Sequence, residues 1–243
     1  MFPLLYYPYY FYGIDYTYLL ILLPCIILAS IASLRVNSTF KKYSEQISVR
    51  HITGAEAAQR VLLAHGVSNV RIERISGNLT DHYDPKANVI RLSQSVYDSA
   101  STAAIGVACH EAGHAVQYAK NYAPIKLRAA IIPVTNIGSK LAMPLILIGL
   151  LLAAYGNASG LLIELGILCF SLSLVFQLVT LPVEFNASRR ALKTIEQVNL
   201  LTEEEQKGAR KTLTAAAMTY VAATLVAFAQ LLRLVLLTRR RND

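Results

Sequence analysis

YTYLLILLPCIILASIASL, Tyr16 to Leu34, is a run of nineteen residues without a single charged side chain. About 20 apolar residues in a helix cross the roughly 30 Å hydrocarbon core of a bilayer. This stretch therefore predicts a membrane helix and sets the class of the whole chain. Immediately before it lies a tyrosine-rich head (Tyr6, Tyr7, Tyr9, Tyr10, Tyr12), the composition of an interfacial aromatic belt. Immediately after it come Arg35, Lys41, Lys42 and Arg50, and Arg35 is the first basic residue of the sequence. A secretory signal would need a basic start and a small-residue cleavage site, so the segment is expected to be retained. The positive-inside rule then puts the N-terminus outside and the next region in the cytoplasm.

The rest of the sequence agrees with a membrane protein. Hydrophobic residues make up 54% of 243 positions and the mean hydropathy is +0.42, too apolar for an ordinary soluble domain. The formal net charge of +8 sits beside apolar segments instead of forming an aromatic-interleaved basic face, so the expected partner is the lipid bilayer and not nucleic acid. Further apolar runs at Leu141–Ala154, Leu161–Leu181 and Ala215–Leu237 predict three more membrane helices. The first of these extends back through Ile131 if Lys140 snorkels. Glu164, inside the second, is expected to be solvated near the outer interface. A fourth full crossing would export Arg239, Arg240 and Arg241, so the last segment is either re-entrant or a sign that an earlier assignment is wrong. Cys25, Cys109 and Cys169 have no paired spacing and read as reduced packing residues.

Between the first two apolar runs the composition becomes that of a small α/β unit. Thr53-Gly-Ala-Glu56 is a capping-box pattern ahead of an amphipathic helix that Gly66 closes. Val70–Ile75 and Val89–Leu92 alternate apolar and polar residues, which predicts two paired strands. The segment between them, with Gly77, Asn78, Asp84 and Pro85, reads as turn-forming. A helix is expected from about Ser101 to Tyr118.

That helix carries His110-Glu111-Ala112-Gly113-His114. Positions four apart on an α-helix share one face, so both imidazoles can reach one metal ion. Zinc favours neutral imidazole in a tetrahedral shell, and a catalytic site keeps one position open for water. Glu111 stands where a general base for that water must stand. With five histidines in the chain, a chance HExxH is expected only about 0.004 times per sequence of this composition. The third ligand must come from elsewhere. Glu184, in Leu181-Pro182-Val183-Glu184-Phe185-Asn186-Ala187-Ser188-Arg189-Arg190-Ala191, lies at the end of a predicted span, where a helix continues or restarts at Pro182. It is either a ligand or the partner of Arg189 or Arg190. His82, in the polar segment between the strands, is either a donor to a tetrahedral oxyanion or ordinary turn chemistry. His51 and His65 read as solvated or capping.

The run Thr80 to Pro85, the stretch Gly106 to Gln117 with its HEAGH, and Pro182 to Ala191 together resemble the YugP-type family of membrane zinc metallopeptidases, over nearly the whole chain. The Glu184-Phe185-x-Ala187-x-x-x-Ala191 portion is also similar to the third-ligand motif of HtpX-type membrane metallopeptidases. That resemblance implies that Glu184 completes a His-His-Glu site. Those relatives carry Asp where this chain has Ser188; in them the Asp supports a ligand histidine, so Ser188, Asn186 or a residue of the Asp81–Asp84 turn is the expected substitute.

The expected protein is thus mainly α, a multi-pass membrane protein of about four membrane helices with a small α/β zincin-like catalytic element. Its expected divisions are an N-terminal membrane helix (1–35), a cytoplasmic α/β unit with the HExxH helix (36–128), and membrane helices (129–243) with the third-ligand helix near 182–196 and a cytoplasmic loop at 189–213. Its expected activity is peptide-bond hydrolysis by a zinc-activated water, with one zinc ion, at the cytoplasmic membrane face, on a peptide or membrane-protein substrate. The alternatives are a zinc-binding membrane scaffold and a non-peptide zinc hydrolase.

Overall fold

A computed structural model of the chain describes residues 16–152 and 158–242. The tyrosine-rich head lies outside the described residues. The elements run α1 (Leu23–Ser44, entered through a π-helical turn at Tyr18–Leu22), α2 (Gly54–Ala64), β1 (Arg71–Ile75), β2 (His82–Asp84), β3 (Val89–Ser93), α3 (Gln94–Tyr97), α4 (Thr102–Ala119), α5 (Ala123–Leu151), α6 (Ala158–Gln197) and α7 (Glu203–Asn242). Helix dominates, and among the described residues four helices are long and apolar enough to cross a membrane: Tyr18–Ser44, Ala123–Leu151, Ser159–Gln197 and Glu203–Thr238. The protein is a mainly α, multi-pass membrane protein. The chain divides into two compact units, one of residues 1–31, 132–177 and 221–243, the other of residues 32–131 and 178–220.

The first unit is made of apolar helix segments. Exposed leucine, isoleucine and valine cover it, including Leu20, Leu28, Leu147, Leu161 and Leu168, which is the surface expected of a protein whose solvent is lipid. Here α5 and α6 approach closely. A Cβ added to Gly149 would lie 2.8 Å from the Ser159 carbonyl oxygen, and one on Gly166 would lie 2.9 Å from that of Ala142. Small residues at such crossings let the backbones pack tightly without help from the hydrophobic effect. Lys140 and Glu164 are both exposed on these helices.

The second unit obeys the rules of a water-soluble domain. The Thr53 hydroxyl accepts from the Glu56 N–H and the Glu56 carboxylate accepts from the Thr53 N–H, the reciprocal pair anticipated for the start of α2. The sheet is where expectation and structure differ. The two anticipated strands, β1 and β3, do pair, but in parallel and as part of three, in the order β1-β3-β2. The segment read as turn contains β2, antiparallel to β3 with His82 opposite Arg91 and Tyr83 opposite Ile90. A three-residue strand is too short for alternation to reveal, and Asp84 and Pro85 disguise it as turn. The turn itself follows: the Asp84 side chain accepts from the Lys86 and Ala87 N–H groups.

The core of this unit gathers Val61, Leu62, Ile90, Leu92, Val96, Ile105, Val116 and Ile195 around α4. Of the 18 residues of α4, 14 are buried, so it is enclosed on nearly every side. That explains its composition, rich in alanine and glycine, because only small side chains let other elements close round a helix. The stretch expected as a loop at 189–213 is helical except at 198–202, since α6 runs unbroken through Pro182 to Gln197 and α7 begins at Glu203. Arg189, Lys193, Lys207, Arg210 and Lys211 lie on exposed helix surface, while Glu205 is buried and accepts from the Val49 and Thr202 N–H groups. Because α7 is continuous from Glu203 to Asn242, the re-entrant reading of the last segment does not hold.

Candidate metal centre

The cluster is built from two helices of the second unit. Helix α4 starts at Ser101, whose side chain accepts from the Ala104 N–H. Its pitch carries His110 and His114 onto one face, with ring centroids 4.7 Å apart and planes at 85°. Helix α6 passes against this face with Val183, Ala187 and Ala191 fully buried. Gly113 permits the approach, since a Cβ there would meet the Ala187 carbonyl oxygen at 2.8 Å. One turn before Ala187, Glu184 faces the imidazoles. Its Oε2 lies 3.2 Å from His110 Nε2 and 3.4 Å from His114 Nε2.

Glu184 is 2% exposed, and an unpaired carboxylate at that depth would be strongly destabilising. Its surroundings compensate: two imidazoles on one oxygen, and the Arg128 guanidinium 3.5 Å from the other. Arg189 and Arg190, the rival partners, do not take this role. Arg190 instead bonds Asn186 and lies over the Tyr122 ring.

The donor atoms of His110, His114 and Glu184 all lie within 4.8 Å of one another. Ligands about 2.0–2.1 Å from a tetrahedral zinc are separated by about 3.3 Å, and the two imidazole–carboxylate separations match that edge. The tautomers match as well. With Nε2 left free for a metal, His110 Nδ1–H donates to Ser188 Oγ at 3.0 Å and His114 Nδ1–H donates to Gln117 Oε1 at 3.0 Å. Gln117 is fixed in turn by donating to the Val183 carbonyl and to Asn186 Oδ1. Two nitrogens and a carboxylate oxygen, each oriented by a second partner, are the donor set zinc prefers.

Glu111 lies beside the cluster without joining the three ligand atoms. Its Oε2 accepts from the Tyr83 N–H of β2 at 3.0 Å, so the edge strand of the small sheet orients this carboxylate. Burial pushes its carboxyl above the ordinary carboxylate range, while His110 and His114 pull the other way. The cluster opens on a cavity of about 280 Å³. Tyr220 of α7 lines it and reaches Glu184.

Other residues singled out from the sequence fall elsewhere. His82 is exposed on β2 with its Nδ1 on the Thr80 carbonyl, and it is not among the residues that line the cavity. Asp81 lines the cavity, but its carboxylate accepts from the Ser93 N–H and hydroxyl, and Asp84 pairs with Arg91. Neither bonds a ligand histidine. Cys109 is buried, and burial pushes its thiol up. His65 caps α2 and pairs with Thr194. Sequence reasoning missed Gln117, Arg128, Tyr220 and the Tyr83 N–H. Only Gln117 had a readable signal, three residues past His114 and thus on its helix face.

The chain belongs to the family described as "Putative neutral zinc metallopeptidase", whose model matches residues 18–239. It is 46% identical over 212 residues to the "Putative membrane protease YugP" of Bacillus subtilis (strain 168), covering 87% of this chain and 92% of that protein. No solved structure matches it.

Proposed function

We propose that this member of the family hydrolyses peptide bonds at the cytoplasmic face of the membrane, with His110, His114 and Glu184 as the zinc ligands and Glu111 as the catalytic base. The observation that carries the reading is the convergence of three ligand-type atoms within 4.8 Å at a cavity that Glu111 also lines. Zinc, when bound, supplies the Lewis acidity that acidifies a water and polarises the scissile carbonyl. The chain's own residues do the rest. Ser188 and Gln117 hold the two imidazoles in the coordinating tautomer, and Arg128 balances the buried Glu184 carboxylate. The Tyr83 N–H keeps Glu111 aimed at the cavity, where it takes the proton from the attacking water and returns it to the leaving amine.

The cytoplasmic placement is supported by charge. Arg35, Lys41, Lys42 and Arg50 lie at and just beyond the end of the first candidate span, and Arg189, Arg190, Lys193, Lys207, Arg210 and Lys211 lie around the junction of the last two; short basic segments beside membrane helices stay on the cytoplasmic side, a rule that Arg239, Arg240 and Arg241 run against. The bilayer and a peptide or membrane-anchored polypeptide are the partners of this reading.

The test is zinc content and casein-peptide hydrolysis of detergent-solubilised wild type beside Glu111→Gln. One zinc per chain in both proteins, with hydrolysis in wild type alone, is the expected result. Zinc in both with hydrolysis in neither would remove the peptidase reading, and no zinc in either would remove the ligand assignment.

A further inference from the structure

Away from the cavity, the second unit gathers positive charge from two helices. Lys120 closes the C-terminal end of α4, and Arg190 and Lys193 follow one another on α6. Half-buried His65, at the end of α2, sits among them. Its Nε2 lies 2.9 Å from Thr194 Oγ1, and the Thr194 hydroxyl donates to the Arg190 carbonyl. Burial, and then the charges of Arg190, Lys120 and Lys193, hold the His65 imidazole below its ordinary pKa, so all three cations stand close enough to act on one ring. Among the described residues none of the three takes a carboxylate partner. Like charges gathered without a counter-charge repel one another, and a bound anion removes that repulsion.

Arg190 is held in place for such a partner. It is half-buried, its guanidinium carbon lies 5.9 Å over the Tyr122 ring, and its Nε–H donates to Asn186 Oδ1 at 2.8 Å. Those contacts fix the plane of the guanidinium and leave its terminal nitrogens without a hydrogen-bond partner among the described residues. Both contacts also lead to the metal cluster. Asn186 Oδ1 accepts from Gln117 Nε2 as well, and Gln117 Oε1 accepts from His114 Nδ1–H. The Tyr122 N–H donates to the Gln117 carbonyl. Whatever steadies Arg190 therefore steadies the partner of a ligand histidine.

We infer that Arg190, Lys120 and Lys193 form a binding site for a phosphoryl group, and that filling it tightens the metal site through Asn186 and Gln117. A fixed guanidinium fork flanked by two mobile ammonium groups offers donors from several directions, which suits a tetrahedral dianion better than a planar carboxylate. The group can belong to a soluble phosphate ester or to a lipid headgroup. None of these residues lines the cavity, so the site is separate from the proposed chemistry. The coupling rests on the zinc reading, and the anion site does not.

The test begins with metal-stripped, full-length protein in neutral detergent at constant ionic strength. Inorganic phosphate is titrated in while the His65 ring is followed by NMR. A saturable response is expected, with His65 titrating at higher pH once its neighbouring cations are neutralised. Arg190→Gln and the pair Lys120→Gln with Lys193→Gln should each weaken phosphate binding roughly tenfold or more, and Lys86→Gln, at an exposed lysine elsewhere, should not. Both lysines of the pair are exposed, so that variant leaves buried packing intact. Bicelles of phosphatidylcholine with and without phosphatidic acid separate the sources: a response to phosphate assigns the site to a soluble ester, and a response to phosphatidic acid alone assigns it to a headgroup. No response to either, or an equal response in the lysine-pair variant, would overturn the site. Zinc affinity is then read by chelator competition in sulfate against chloride, because sulfate is a tetrahedral dianion that holds zinc less tightly than phosphate does. Sulfate should tighten zinc binding about fivefold in wild type and not in the lysine-pair variant. Anion binding with unchanged zinc affinity would overturn the coupling alone. A chain that binds no zinc would remove the metal reading and leave the phosphate result standing.

Discussion

The two units of this chain bury opposite things. In the unit of residues 32–131 and 178–220, a core of apolar side chains is hidden, and the buried carboxylates are ion-paired or hydrogen-bonded: Glu184 by two histidines and an arginine, Glu111 by the Tyr83 N–H. In the unit of residues 1–31, 132–177 and 221–243, leucines and isoleucines are outside and the close contacts are made by glycines. One sequence thus answers to two solvents. Against water, burial of apolar area supplies the driving force; against lipid it does not, and tight packing of backbones must. The lesson concerns the metal cluster. A buried carboxylate with two imidazoles belongs in the unit that can surround it with hydrogen-bonding second partners, and Ser188, Gln117, Asn186 and the Tyr83 N–H all lie there.

The sharpest way to break this comparison is to remove the buried charge. Glu184→Ala should abolish stoichiometric zinc binding, measured by metal analysis after dialysis, because two imidazoles remain where a tetrahedral site needs three protein ligands. Retention of one zinc per chain would show that the cluster is not the site. Packing comes next. Gly113→Ala should destabilise the protein by about 1–3 kcal/mol, since its Cβ meets the rigid Ala187 backbone. Gly160→Ala, where a Cβ meets nothing within 4 Å, should leave the melting temperature in the same detergent unchanged or slightly raised. Equal effects would mean that the close α4–α6 approach is not what Gly113 provides.

A smaller effect is expected from the hydrogen-bonded partners of the histidines. Gln117→Leu and Ser188→Ala should each lower zinc affinity by roughly 10- to 100-fold without unfolding the protein, as chelator competition would read. No change in either would make those contacts incidental. The smallest effect lies on the surface. Asp84, beside Arg91, has its carboxyl lowered to about 2 from an ordinary value near 3.9. A native value below the unfolded one means that the ionised form is favoured by folding. The contribution is therefore complete above about pH 4 and disappears as the pH falls towards 2. Wild type should melt above Asp84→Asn at pH 6, and the gap should narrow by pH 2.5. A gap that does not narrow would assign the difference to the turn hydrogen bonds and not to the charge.

How much of this was legible beforehand follows from the range over which each feature acts. The apolar runs, the capping box at Thr53 and the spacing of His110 and His114 are local, and a helix or a membrane span converts local spacing directly into geometry. Strand β2 was hidden because three residues carry no period. The parallel pairing of β1 with β3 was hidden because alternation does not state a strand's direction. The stretch expected as a cytoplasmic loop at 189–213 overlapped the third-ligand helix expected near 182–196, and only 198–202 of it is non-helical.

The sequence by itself determined a multi-pass helical membrane protein with an HExxH helix, because hydrophobic length and helical periodicity are properties of neighbouring residues. Only the tertiary structure decided among the candidates for what surrounds that helix. It set Glu184 against both imidazoles while Arg190 turned to Asn186, bonded Ser188 to one ligand histidine and Gln117 to the other, and brought a strand N–H onto Glu111. Apart from Gln117, a local neighbour of His114, the partners of His110, Glu111 and His114 lie 28 to 78 residues away along the chain. Which of several polar side chains meets a buried group at such separations is fixed by how helices and strands pack, and no local pattern records it.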